Sequence, residues 1–194
     1  APRNPRDPVG VAADKLALKL ALLKLAERVL AERRLSHEAL RGLLKVLMTD
    51  VLLRHGDEGT KAGHRARFGL GPPDFMVLSP AKACNLRCVG CYANSGANRE
   101  RLDWATFERT VREAYETWGT RAFVISGGEP LAWREGNRSV LDLAERFPDC
   151  FFVMYTNGTL IDDAVAKRLG RLGNVSPALS IEGMKERTDA RRGD

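Results

Sequence analysis

Cys84, Cys88 and Cys91 lie within one short run, Cys84-Asn85-Leu86-Arg87-Cys88-Val89-Gly90-Cys91. Thiols this close cannot staple a fold through disulfides, but three thiolates on one loop can wrap one face of a metal centre. Thiolates suit zinc and iron–sulfur clusters alike. A structural zinc ion takes four protein ligands, and a cube of iron and sulfur takes a ligand at each of its four irons. The triplet therefore leaves one coordination position to something else. The remaining cysteine, Cys150, starts an apolar run that reads as a strand, at the end of the sheet opposite to the triplet. A cysteine in such a strand behaves as a small hydrophobe.

Three further segments follow predicted strands directly: Gly127-Gly128-Glu129-Pro130, Thr156-Asn157-Gly158-Thr159 and Ser180-Ile181-Glu182-Gly183. In the first, two glycines let the backbone approach a ligand closely, Pro130 fixes the turn, and carbonyls or Glu129 accept from an ammonium group. Taken singly, each segment reads as an ordinary strand-to-helix turn, and Glu182 as a solvated carboxylate. Four such segments at four successive strand ends make a far more specific pattern.

Together they resemble the radical S-adenosylmethionine (SAM) enzymes, whose three-cysteine motif of this spacing follows the first strand of a partial (β/α)6 barrel. The resemblance implies a four-iron, four-sulfur (4Fe–4S) cluster on Cys84, Cys88 and Cys91. The amino and carboxylate groups of SAM would chelate its open iron. It further implies that SAM is cleaved reductively to methionine and a 5′-deoxyadenosyl radical, which abstracts hydrogen from a substrate. By the same resemblance, Gly127, Gly128, Glu129 and Pro130 receive the methionine amino group, and Thr156 and Asn157 border the cofactor pocket. Ser180 and Glu182 would touch the methionine carboxylate or the ribose.

The resemblance covers about residues 75–194, roughly the first two thirds of such a barrel. One departure stands out: the residue before the third cysteine is commonly aromatic in the family, but here it is Gly90, and Tyr92 follows Cys91. The members it most resembles modify cofactors and peptides, which implies a small-molecule or peptide substrate and a reductant such as flavodoxin or ferredoxin. A structural zinc module and an iron–sulfur electron carrier are the rival readings. On the argument that the glycines make room for ligand, Gly128→Val is expected to spare the cluster and block SAM.

The elements that must position these loops alternate. Residues 75–79, 122–126, 150–155 and 175–181 read as strands, and 103–118, 139–147 and 162–172 as helices. Asp103 is placed as an N-cap, with Leu102 set to staple against Phe107. Continuous apolar strands joined by helical crossovers indicate a parallel sheet covered by helices. The expected fold is α/β, the first four strands of a partial (β/α)6 TIM-like barrel. Before it, 11–34 and 36–54 read as helices closed by turn residues at 55–59, an α-helical hairpin. The Gly/Pro cluster at 69–73 sets the expected division: a helical extension over 1–72 and the core over 73–194. Arg191-Arg192-Gly193-Asp194 reads as turn-like, and the chain as a fragment.

Composition is that of a folding sequence, with 44% hydrophobic and 29% charged residues. Of the net charge of +6, most lies up to Phe75, where 14 Lys and Arg face 9 Asp and Glu, against 17 and 16 beyond it. These basic residues are interspersed with leucines and acids, so no nucleic-acid partner is expected. The Lys-studded leucine face of the first helix is assigned to packing in preference to a membrane surface. Clustered cysteines without a signal peptide point to the reducing cytoplasm. Trp104, Trp118 and Trp133 read as packing residues, and His37, His55 and His64 receive no catalytic role.

Overall fold

The computed structural model describes residues 10–32, 37–42 and 58–193. The chain divides into two compact units with the boundary between His37 and Glu38. In the first, Val11–Ala31 form α1, a run free of Gly and Pro that starts from Gly10 in the left-handed conformation (φ 100°). Leu16, Leu20, Leu23 and Leu30 are exposed along it. Residues His37–Gly42 form α2. The rest of the second expected helix, and with it the expected hairpin, lies outside the described residues.

The expected turn at 55–59 is corrected at its end, since Glu58 and Gly59 open a helix, α3, Glu58–Phe68. An acidic residue suits the positive end of a helix, and a glycine costs little in a first turn whose amides lack intrahelical partners. Gly69 then stops α3 at φ 74°, its amide donating to the Arg65 carbonyl at 2.9 Å. The buried Lys61 of α3 donates to Asp74 at 2.7 Å. The second compact unit thus takes in α3 and begins well before the expected division at 72/73.

From Asp74 the chain alternates as the pattern requires. Strand β1 (Phe75–Leu78) leads through a long loop to α4 (Trp104–Trp118), then β2 (Ala122–Ile125). A 3-10 turn at Pro130–Ala132 and a small antiparallel pair, β3 (Arg134–Glu135) and β4 (Arg138–Ser139), precede α5 (Val140–Arg146). Strand β5 (Phe151–Thr156), α6 (Asp163–Leu172), β6 (Val175–Leu179) and α7 (Lys185–Arg192) follow.

The expected cap forms, Asp103 accepting from the Thr106 amide at 2.7 Å, and Asp162 caps α6 in the same way, accepting from the Val165 amide at 2.8 Å. Helix α7 corrects the expectation of a turn-like end. It is almost wholly polar, so no apolar period marks it, and it carries an i,i+4 pair between Lys185 and Asp189.

The sheet runs β1-β2-β5-β6 with every neighbouring pair parallel. Pro177, which cannot donate to a ladder, sits in the end strand β6. Leu78, Phe123, Ile125, Phe152 and Met154 share one face and are buried against Phe107 and Val111 of α4, Leu143 of α5 and Leu169 of α6. On the other face Phe75, Val77 and Tyr155 are exposed. One sheet face is therefore the core, and the carboxyl ends of all four strands open toward the same end.

Candidate functional site

The loop after β1 is held as a closed structure before it presents its thiols. Its stems pair: the Lys82 amide donates to the Glu100 carbonyl at 2.9 Å, Leu102 to Pro80 at 2.8 Å, and Cys84 to Gly96 at 3.0 Å. Between the stems, Cys91 donates to the Cys88 carbonyl at 3.3 Å and Asn94 to that of Cys91 at 3.1 Å. None of the four cysteines is in a disulfide. Burial pushes the Cys84 thiol up, whereas backbone N–H groups led by that of Ser95 hold Cys91 below the ordinary thiol value. Cys150 is fully buried, just ahead of β5 and so at the amino end of the strands, away from the other three.

The glycine turn after β2 is pressed against this loop. A Cβ on Gly128 would lie 1.9 Å from the Ala83 carbonyl oxygen, and one on Gly127 2.6 Å from that of Ala81. The amides of Gly128 and Glu129 donate to those same carbonyls at 2.8 and 3.0 Å. The space the glycines leave is filled by the cysteine loop. That overturns the expectation that Gly128→Val would spare the cluster, because a side chain there must displace the segment that leads into Cys84.

Glu129 is buried and turned inward. Its carboxylate accepts from the Thr156 hydroxyl at 2.7 Å, the Leu131 amide at 3.1 Å and the Asn157 amide at 2.9 Å. It thereby joins the ends of β2 and β5. Pro130, also buried, opens the 3-10 turn.

Beyond β5, the Asn157 side-chain amide donates to Asn85 at 3.0 Å, and Asn85 donates in turn to the Thr159 hydroxyl at 2.7 Å. The third turn is therefore laced to the residue that follows Cys84. Beyond β6, the Ser180 amide donates to the Thr156 carbonyl at 2.9 Å. Glu182 is taken up by two arginines of α7: Arg191 donates to it at 2.7 Å and Arg192 at 2.5 Å. Those ion pairs hold its carboxyl below the usual range, Arg192 contributing most.

The four strand ends enclose one cavity of about 220 Å³. Cys84, Cys88, Cys91, Gly127, Gly128, Glu129, Thr156, Asn157 and Ser180 line it; Pro130 and Glu182 do not. Among the described residues no group of three His, Cys, Asp or Glu side chains is gathered closely enough for a single ion. Cys84, Cys88 and Cys91 nevertheless all line the one cavity, a donor set that suits a cube in which each thiolate takes a different iron.

A family model for the Radical SAM superfamily matches residues 78–194. The chain belongs to the radical SAM superfamily. Members of this superfamily use a 4Fe–4S cluster and SAM. Its relatives include an Fe-coproporphyrin III synthase of Methanosarcina barkeri, 30% identical over 145 residues, covering 73% of this chain and 35% of the relative. A cysteine-type anaerobic sulfatase-maturating enzyme of Clostridium perfringens is 31% identical over 139 residues, covering 63% and 36%. Streptococcus suis SuiB bound to S-adenosylmethionine shares the fold at a TM-score of 0.57 and 21% identity, covering 70% of this chain and 32% of SuiB. The chain spans about a third of the length of the curated relatives it matches.

In this radical SAM chain the cavity has a second set of lining residues that the motifs do not announce: Tyr92, Ser95, Ser126, Tyr155, Arg191 and Arg192. The Tyr92 hydroxyl pairs with that of Ser126 and accepts from the Gly127 amide at 3.4 Å, tying the cysteine loop to the glycine turn once more. A tyrosine next to the third cysteine was a visible signal. The arginines had none, since α7 carries no motif and its reach to the cysteine loop depends on tertiary packing.

Proposed function

We propose that this chain supplies the cluster- and SAM-binding part of a radical SAM enzyme that abstracts a hydrogen atom from a small molecule or a peptide. The observation that carries this reading is the single cavity lined by three thiols and by the turns after β2, β5 and β6. The chemistry supplied there is the one-electron cleavage of SAM to methionine and a 5′-deoxyadenosyl radical. Cys84, Cys88 and Cys91 would hold three of the cluster's irons. Backbone carbonyls of Gly127 and Gly128 receive the ammonium group, and Asn157 and Ser180 offer polar groups to the rest of the cofactor. An anionic group in this cavity meets Arg191 and Arg192, not Glu182, whose carboxylate is occupied by them. Glu129, Pro130 and Thr156 act from behind, holding the turns in register.

In this reading β1, β2, β5 and β6 are the first strands of a partial (β/α)6 barrel whose lumen is the face that exposes Val77 and Tyr155. Residues 73–194 form its core, and the helices before it are an extension of which α3 belongs to the same compact unit as that core. A peptide substrate is supported by a structural neighbour, SuiB, seen bound to the precursor peptide SuiA. A tetrapyrrole-like substrate is supported by the Fe-coproporphyrin III synthase relative. Flavodoxin or ferredoxin would deliver the electron in the cytoplasm.

Anaerobic reconstitution tests the reading. The protein should be brown, bind four irons per chain in addition to sulfide, and give a reduced-cluster EPR signal that SAM perturbs. With dithionite and SAM it should release 5′-deoxyadenosine. A colourless protein with stoichiometric zinc would establish the zinc module, and a cluster that never yields 5′-deoxyadenosine would establish an electron carrier.

A further inference from the structure

Arg192 stands apart from the other arginines of the chain. It ends α7, its side chain is only 19% exposed, and its guanidinium is spread over three environments. One terminal nitrogen donates to Glu182 at 2.5 Å, the other reaches the Cys88 sulfur at 3.9 Å, and the buried Nε has no partner. The backbone reinforces this contact, because the Val89 amide donates to the Arg191 carbonyl at 2.7 Å. Helix α7 is therefore stapled to the cysteine loop at Cys88 and at the residue after it.

The charges at this point do not cancel. Two guanidiniums face one carboxylate, since Arg191 and Arg192 both bind Glu182. The balance is positive beside the Cys88 thiol. Without it the thiol would face the carboxyl end of a helix, whose orphan carbonyls carry partial negative charge.

Resting on the reading of a 4Fe–4S cluster at Cys84, Cys88 and Cys91, we propose that Arg192, oriented by Glu182, is a positioning residue that sets the cluster's reduction potential by bonding the Cys88 sulfur. A cube held by three thiolates is anionic, and reduction adds a further negative charge. A cation with an N–H directed at one thiolate therefore favours the reduced state more than the oxidised one. Partial burial of the guanidinium strengthens the effect, because less water screens it. Glu182 keeps the cation from swinging into solvent. This gives the carboxylate of the turn after β6 a role although it does not line the cavity.

The test is an EPR-monitored redox titration of the intact, anaerobically reconstituted protein carrying Arg192→Met. The expected result is wild-type iron and sulfide content with a midpoint potential shifted to more negative values. Arg192→Lys, which keeps the charge but not the planar fork, should fall between the two. A full cluster at an unchanged potential in Arg192→Met overturns the proposal. Should Arg192→Met hold no cluster, Arg192→Gln is titrated instead, with a negative shift in support and no shift against. Should both neutral variants keep wild-type circular dichroism but hold no cluster, the residue serves assembly and the proposal is overturned. A wild-type protein that takes up zinc and no iron would sink the cluster reading itself, an outcome distinct from an unshifted potential.

Discussion

A methyl group on Gly128 would fall 1.9 Å from the Ala83 carbonyl oxygen, a backbone atom with no side-chain freedom to retreat. Overpacking of this kind costs about 1–3 kcal/mol, and more where backbone must move. Gly128→Val should therefore lose most of its reconstituted iron and unfold earlier, by on the order of 3 kcal/mol in a denaturant titration. Gly63 in α3 has nothing within 4 Å of its missing Cβ. Gly63→Ala should keep full iron content and gain up to about 1 kcal/mol. Full iron in the Gly128 variant would show that the loop does not depend on that contact.

Glu129 makes a second case at this scale. Both carboxylate oxygens accept, so Glu129→Gln would aim an N–H2 at a donor where an acceptor is needed. The expected cost is about 1–3 kcal/mol, together with faster hydrogen exchange at the Asn157 amide. Unchanged protection of that amide would count against the link between β2 and β5.

Among the elements, α5 and α6 are fastened by Asp142. This residue accepts from the Ser139 amide at 2.7 Å and from Arg168 at 2.7 Å. Burial pushes its carboxyl up, but the bonds from Arg168 and Ser139 outweigh burial and bring it down to about 2. The folded value lies below the unfolded one, so the stabilisation is fully present above about pH 4 and is lost as pH falls toward 2. Its size is on the order of 2 kcal/mol at most, reduced by water around the partly exposed pair. Asp142→Asn should flatten the fall in stability between about pH 4 and pH 2, measured by denaturation across that range. An unaltered pH profile would show that the clamp contributes nothing. Elements with a local signal were legible in this way: Asp103, Ser139 and Asp162 all sit where a cap residue precedes an amphipathic run. The two-residue strands β3 and β4 and the polar helix α7 have no such period, and Glu58 and Gly59 look like a turn until the helix after them is seen.

Across the whole molecule, the site exists only because parallel strands bring four loops to one end. Release of 5′-deoxyadenosine is accordingly a whole-molecule prediction, since the proposed function has the three thiols and the three turns act on one cofactor at once. The sheet has helices over one face and leaves Val77 and Tyr155 exposed on the other. No helix among the described residues is long and apolar enough to cross a membrane.

The spacing of Cys84, Cys88 and Cys91, the order of the four parallel strands with α4, α5 and α6 between them, and the three turn motifs were determined by the sequence alone, because each is encoded within a few consecutive residues. Tertiary structure alone decided which atoms meet. Gly127 and Gly128 give way to the Ala81 and Ala83 carbonyls, the Glu129 carboxylate is taken up by Thr156 and Asn157, and Glu182 is withdrawn by Arg191 and Arg192. The physical reason is that such contacts join residues far apart in the chain. They depend on strand register and on how a helix end lands on a loop, neither of which local pattern carries.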